Sequence, residues 1–380
     1  MDRILFLLAS FVFLAASVRG DDPKSSDNAD PEKAVVEALA GNRAFTKGEY
    51  QYVRKVFSRY FEQKYAAEIR AGLGDAYVDV MKWLGENPEV KETLFTAIDP
   101  ATDDVEKAMA VFGELFALGP DKIKTHANVA IACAVVWDNP QAVYDYRPHQ
   151  VRTKSTLPDG VLSHRAKDNF LYLVTHETAL KGQVQLLPWE FLIHVVNHYT
   201  PPDERDWAIE KYLKRRTGIG SCYKDIVYDK EMLRTKSDVC RLNGKAYTLQ
   251  NIKTYGGVCA MQADFAARVA KSLGVPAEYV GGEANFGGLH AWVMWVELRH
   301  VSREKIDFAL MSEGRYFTDQ YYVGHLLDPQ SGTLTTDRAM ELRLATVGAA
   351  PQHGRQADLL MRFYPTVRDR KNLSAKARVN

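Results

Sequence analysis

The sequence predicts an α+β chain, with an all-helical module first and a core helix packed on an antiparallel sheet after it. Three observations carry that prediction. From Ala34 to about position 140, apolar residues recur at three- and four-residue intervals. Beyond position 276 the period falls to two, in AEYVGG, HAWVMWVEL, KIDFAL and RYFTDQYYVG. Between the two patterns, Pro140, Pro148, Pro158 and Gly160 stand among polar residues and mark a boundary.

Taken in order, the first element is an address. Met1-Asp2-Arg3 precedes an apolar stretch from Ile4 to Ser17, too short for a comfortable span and suited to a secretory signal peptide over residues 1–20. An uncleaved N-terminal anchor is the alternative. Small residues place the cut near Gly20, so the protein is expected outside the cytoplasm, secreted or periplasmic. Residues 21–33 (DDPKSSDNADPEK) read as a flexible leader. The helical module covers 34–140, with AVVEALAGNRAF and EYQYVRKVFSRYFEQ as its first hairpin. No fixed period recurs, so a solenoid is not expected. Residues 141–345 form the second unit. Its helices are AKDNFLYLVTH, a segment opened by Pro188, and one capped by Asp203, and its strands follow. Residues 346–380 read as a basic, mobile tail. From Met361 onward the tail holds six Lys/Arg against one Asp and shows no apolar period.

Composition bounds the function. A chain of 380 residues, 46% of them hydrophobic, excludes wholesale disorder and suggests two folded units. Four cysteines are too few for a disulfide scaffold. With 49 Lys+Arg against 48 Asp+Glu there is no global field to draw a nucleic acid. Without the first twenty residues the counts are 47 and 47. Only the tail is markedly basic, and contact with an anionic wall polymer or membrane surface is the function it could serve.

The stretch from Tyr255 to Val280 (YGGVCAMQADFAARVAKSLGVPAEYV) carries the chemistry. Gly256-Gly257 forces a tight turn before Cys259. A helix then runs to about Leu273, closed by Gly274 and Pro276. Ala263, Ala266, Ala267 and Ala270 form a small-residue stripe that lets this helix lie close to a sheet. Cys259 thus stands at a helix N-terminus, where unpaired N–H groups favour a thiolate and later an oxyanion. A base follows thirty-one residues on: His290 begins a strand after the glycine-rich loop from Gly281 to Gly288, and shares its face with Trp292 and Met294. Asp307, seventeen residues later, is the expected orienter of the imidazole if it lies on the paired strand, with Asp328 as its rival.

GGVCAMQADFAARVAKSLGVPA followed by HAW resembles the core of the transglutaminase-like superfamily of papain-like thiol enzymes. The resemblance covers roughly Trp189 to Gly332, and its specific part runs from Gly256 to Trp292. It implies a papain-like domain in which Cys259 is the nucleophile, His290 the general base and an aspartate the orienter. The family's Asp-Pro about sixteen residues after the histidine is split here. Asp307 has the spacing but precedes Phe308, and Asp328-Pro329 has the dipeptide but lies thirty-eight residues away. The implied activity is thiol acyl transfer or hydrolysis on carboxamide or peptide bonds of a protein or peptide, as transglutaminase, protease or deamidase, with no cofactor or metal. The alternative is an inert member whose helical half recruits a partner.

Other residues carry weaker signals. Cys222 and Cys240 are expected to pair as a disulfide in an exported protein, and Cys133 in VAIACAVVW to be core. His194 and His198 stand at i and i+4 with His176 upstream, but no third ligand marks a zinc site. Gln250, nine residues before Cys259, could assist an oxyanion. Trp189 and Trp207 read as core aromatics. Asn372-Leu373-Ser374 is a glycosylation sequon only in a glycosylating host.

Overall fold

The computed structural model describes residues 49–368, apart from positions 181–182, 216–217, 285–286, 303–304 and 316–320. The expected signal peptide, the leader, positions 34–48 and the sequon lie outside the described residues.

Seven helices of the N-terminal part are described: α1 (Glu49–Lys64), α2 (Ala66–Leu73), α3 (Tyr77–Glu86), α4 (Pro88–Ala97), α5 (Val105–Phe116), α6 (Pro120–Thr125) and α7 (Ala127–Trp137). Pro88 and Pro120 occupy first-turn positions, where the missing N–H costs nothing, and Asp104 caps α5 by accepting from the Lys107 N–H. Every residue of α7 from Val129 to Val136 is buried, so the other helices surround it on all sides. Gly72 lets α2 and α5 touch: a Cβ there would lie 2.1 Å from the Glu106 carbonyl oxygen.

Short helices follow: α8 (Arg147–Arg152), α9 (Ala166–Thr175), α10 (Trp189–Val196), α11 (Pro202–Tyr212), a 3-10 segment (Ile219–Asp225), α12 (Lys230–Arg234), α13 (Leu249–Tyr255) and α14 (Cys259–Ser272). The sheet is antiparallel throughout, with β1 (Ala277–Ala284), β2 (Leu289–Val301), β3 (Ile306–Glu313), β4 (Tyr321–Leu327) and β5 (Leu334–Thr336) in the order β3-β2-β1-β4-β5. Two helices close the chain, α15 (Asp337–Ala349) and α16 (Pro351–Arg368). The expected α+β arrangement is therefore present.

The sheet lies between two cores, because alternate residues of each strand face opposite ways. Ala277, Ala291, Val293 and Trp295 pack with the α14 alanines. Val280, Trp292, Met294 and Val296 join a second core that extends through α10 and α7 to Phe57 in α1. The helical module and the sheet therefore share one core across position 140. Gln330, in the turn between β4 and β5, ties the two further by donating to the Ala97 carbonyl (3.0 Å) and to Asp103 Oδ2 (2.8 Å).

The tail departs from expectation up to Arg368. Val347 and Leu359 are buried in α15 and α16. Arg355 donates to both oxygens of Glu190 at 2.5 and 2.7 Å, and Arg362 donates to the carbonyls of Thr96 (3.0 Å) and Ile98 (3.3 Å). The arginines that read as a solvated basic tail instead bind the C-terminal carbonyls of α4 and a buried carboxylate. Residues 369–380 lie outside the described part. Among the described residues no helix is long and apolar enough to cross a membrane.

Candidate active site

Cys259 is positioned by backbone. Gly256 has φ +82°, and a Cβ there would lie 2.2 Å from the Val227 carbonyl oxygen, so only glycine fits. The Gly257 N–H donates to that same carbonyl at 3.0 Å, and the Asp229 N–H donates to the Gly257 carbonyl at 3.0 Å. Val258, in extended conformation, caps α14 without a side-chain acceptor; the Met261 N–H bonds the Val258 carbonyl at 2.9 Å, and the N–H groups before it lack intrahelical partners. The helix ends at Gly274, whose φ of +73° reverses the chain into β1. Cys259 is partly exposed, whereas the other three cysteines are buried. Among the described residues its thiol makes no hydrogen bond. Tyr279 of β1 lies within electrostatic reach of it: burial first, then the Cys259 charge, holds the phenol well above its ordinary value. The Tyr279 ring stacks on Tyr144 (centroids 5.7 Å apart) and meets His149 (5.1 Å).

His290 stands at the same end of the layer. Fourteen residues of α14 rise about 20 Å from its C-terminus to Cys259. On β1 the rise from Ala277 to Gly282, the register partner of His290, is about 17 Å. The two side chains reach that end from different directions. Alternation puts His290 on the face of Trp292, with ring centroids 6.1 Å apart, while α14 packs against Ala291 and Val293. The His290 Nε2 lies 2.6 Å from the Gly314 carbonyl oxygen. That acceptor requires an N–H, so the imidazole carries a proton on Nε2. Burial draws the imidazole below its ordinary value, partly opposed by the Gly314 bond, which favours the neutral base at neutral pH. Gly314 is set in turn by Tyr223. Its φ is +88°, a Cβ would meet the Tyr223 ring at 2.4 Å, and the Tyr223 hydroxyl donates to the Ala291 carbonyl at 3.1 Å.

Asp307 does not join them, which corrects the expected orienter. It opposes His300 in the β2–β3 register, ten residues along β2 from His290, or about 33 Å. Asp328 is engaged elsewhere: its Oδ1 accepts from Gln330 N (3.1 Å) and Ser331 N (2.8 Å), and its Oδ2 faces Arg343 at 3.4 Å. Burial works to raise that carboxyl, but the Arg343 charge and the turn N–H groups hold it below its ordinary value. Gln250 lies in α13, and its Oε1 has no partner. Asp319, five residues past Gly314, lies outside the described residues.

The expected Cys222–Cys240 disulfide is absent. Both thiols are free: Cys222 is fully buried in the 3-10 segment, and Cys240 faces the Met232 sulfur at 3.6 Å. Cys133 is core, as expected. His194 and His198 do not share a helix face, because α10 ends at Val196. His194 Nδ1 pairs with Glu278 at 2.7 Å. Among the described residues no group of three His, Cys, Asp or Glu could hold a metal.

Gly314, Tyr223 and Tyr279 were not singled out from the sequence. Gly314 acts through its carbonyl, which every residue type has. The tyrosines look like ordinary core aromatics, and only the positive φ demanded of Gly314 could have marked the turn.

No family model, curated protein or solved structure matches the chain.

Proposed function

We propose that the chain is an exported thiol acyltransferase or hydrolase, similar to the transglutaminase-like enzymes, acting on carboxamide or peptide bonds of proteins or peptides. Cys259 loses its thiol proton to the His290 imidazole and its sulfur attacks the carbonyl carbon. The C–N bond breaks as the imidazolium returns the proton to the leaving amine. Water or an amine then resolves the thioester, activated by the same imidazole. The N–H groups that α14 leaves without intrahelical partners beside Cys259 support the reading, since such groups can hold a developing oxyanion.

The observation that carries the proposal is the oriented imidazole of His290 at the Cys259 end of the sheet. The Gly314 carbonyl takes part in this orienting, a task that a carboxylate serves in the resembling family. Because the thiol makes no hydrogen bond among the described residues, substrate binding must bring Sγ and the imidazole together. Resting geometries at such dyads are often loose.

That missing contact favours a second reading, an inert platform whose helical half recruits a partner. Alkylation of Cys259 by iodoacetamide across pH separates the two. In the enzyme, the rate at pH 6.5 exceeds that of a simple thiol about tenfold or more, and His290→Ala removes the excess. Slow alkylation that follows an ordinary thiol titration and ignores His290→Ala supports the platform.

A further inference from the structure

Three cationic side chains are fully buried among the described residues, and two have carboxylate partners. Arg268 Nη2 lies 2.6 Å from Glu204, and Lys271 Nζ lies 3.1 Å from Glu278. Arg205, in α11, has none within 4 Å. Its guanidinium stacks on the Tyr172 ring at 3.6 Å and its Nη1 donates to Asn169 Oδ1 at 2.9 Å, while Nε and Nη2 are buried with no acceptor. Stacking compensates the charge over the face of the guanidinium but leaves its in-plane N–H groups unanswered. Burial draws this group down only to about 9, so it is cationic at neutral pH.

Its neighbours are donors too. The same Asn169 donates through Nδ2 to the carbonyls of Val196 (2.9 Å) and His198 (3.0 Å), which fixes His198 beside Arg205. His198 Nδ1 accepts the Thr200 N–H at 3.1 Å, so the proton sits on Nε2, and Nε2 is buried without a partner. Burial first, then the Arg205 charge, keeps His198 neutral. His164, with its ring 6.3 Å from that of His198, also buries an unpartnered Nε2.

We propose that Arg205 and His198 enclose a binding site for a small monovalent anion of chloride size. Three buried donors and a guanidinium charge with no carboxylate within 4 Å, Asp206 acting on it only from farther off, call for a group that only accepts and is itself negative. A water molecule would leave the charge without a direct counter-ion and bring two further O–H groups that need acceptors.

The test is a crystal of the wild-type protein grown or soaked in sodium bromide, read by bromine anomalous scattering. An anomalous peak within hydrogen-bond distance of Arg205 Nη2 and His198 Nε2 is expected. Water there, or no density, overturns the proposal. In solution, the thermal midpoint is compared in potassium chloride and potassium gluconate at equal ionic strength. Chloride at about ten times its Kd raises the midpoint by roughly 2–4 °C. Arg205→Met abolishes the difference. Equal midpoints for the wild type, or a chloride shift that survives in Arg205→Met, count against the site.

Discussion

The Gly314 carbonyl that holds His290 is itself backed by the Tyr223 ring, so a turn takes part in orienting the imidazole. Asp307, at the far end of β2 from His290, has no route to the reaction. Asp307→Asn is expected to leave Cys259 alkylation and any turnover within about twofold of wild type. A hundredfold loss in kcat without loss of fold would place the carboxylate at the imidazole after all. At the level of single residues, the placement of Cys259 at a helix start and of His290 near a strand start was legible, because glycines flank both. It was silent about Gly314, whose contribution is a backbone oxygen.

The error over Asp307 arises at the scale of the hairpin. Seventeen residues from His290 to Asp307 would place them face to face only if β2 stopped early. It continues instead to Val301, past Leu298, and β3 begins at Ile306, so Asp307 is only the second residue of β3. Alternation identifies a strand well but does not fix where a polar strand end gives way to a turn. Helix α14 was legible because both of its ends carry backbone signals, Gly256 before it and Gly274 after it. The first signal is testable. Gly256→Ala places a Cβ against the Val227 carbonyl at a positive φ, and a loss of about 3 kcal/mol or more in urea unfolding is expected. A loss below about 0.5 kcal/mol would mean that the 227–229 segment is free to move away, and with it the support of Cys259.

For the whole molecule, the joint between helical module and sheet carries its own pH response. Asp103 is buried where Gln330 crosses over, and burial raises its carboxyl to about 7; Asp138 is raised likewise. A carboxyl raised on folding binds its proton more tightly in the folded state, so its contribution to stability falls as pH climbs from about 4 to about 7. His164 and His198 act in the opposite sense, since burial lowers them and their neutral forms lose stability on acidification below about 6.5. The Asp103 part is isolated by comparison. From pH 5 to pH 8, Asp103→Asn gains stability relative to wild type, on the order of 1–3 kcal/mol by urea midpoint. A difference independent of pH would show that Asp103 is ionised in the fold throughout.

Helix α16, the last described element, packs on α1, the first. Arg355 reaches Glu190 from there, and the charge of that arginine also bears on Tyr50 in α1. The chain therefore closes on itself through its last described helix. Until α16 docks, Tyr50, Glu190 and the end of α4 lack their cover, and the protein is a ring with its clasp undone. Contacts between such distant parts of the sequence form slowly, so this clasp is expected to shut among the last steps of folding.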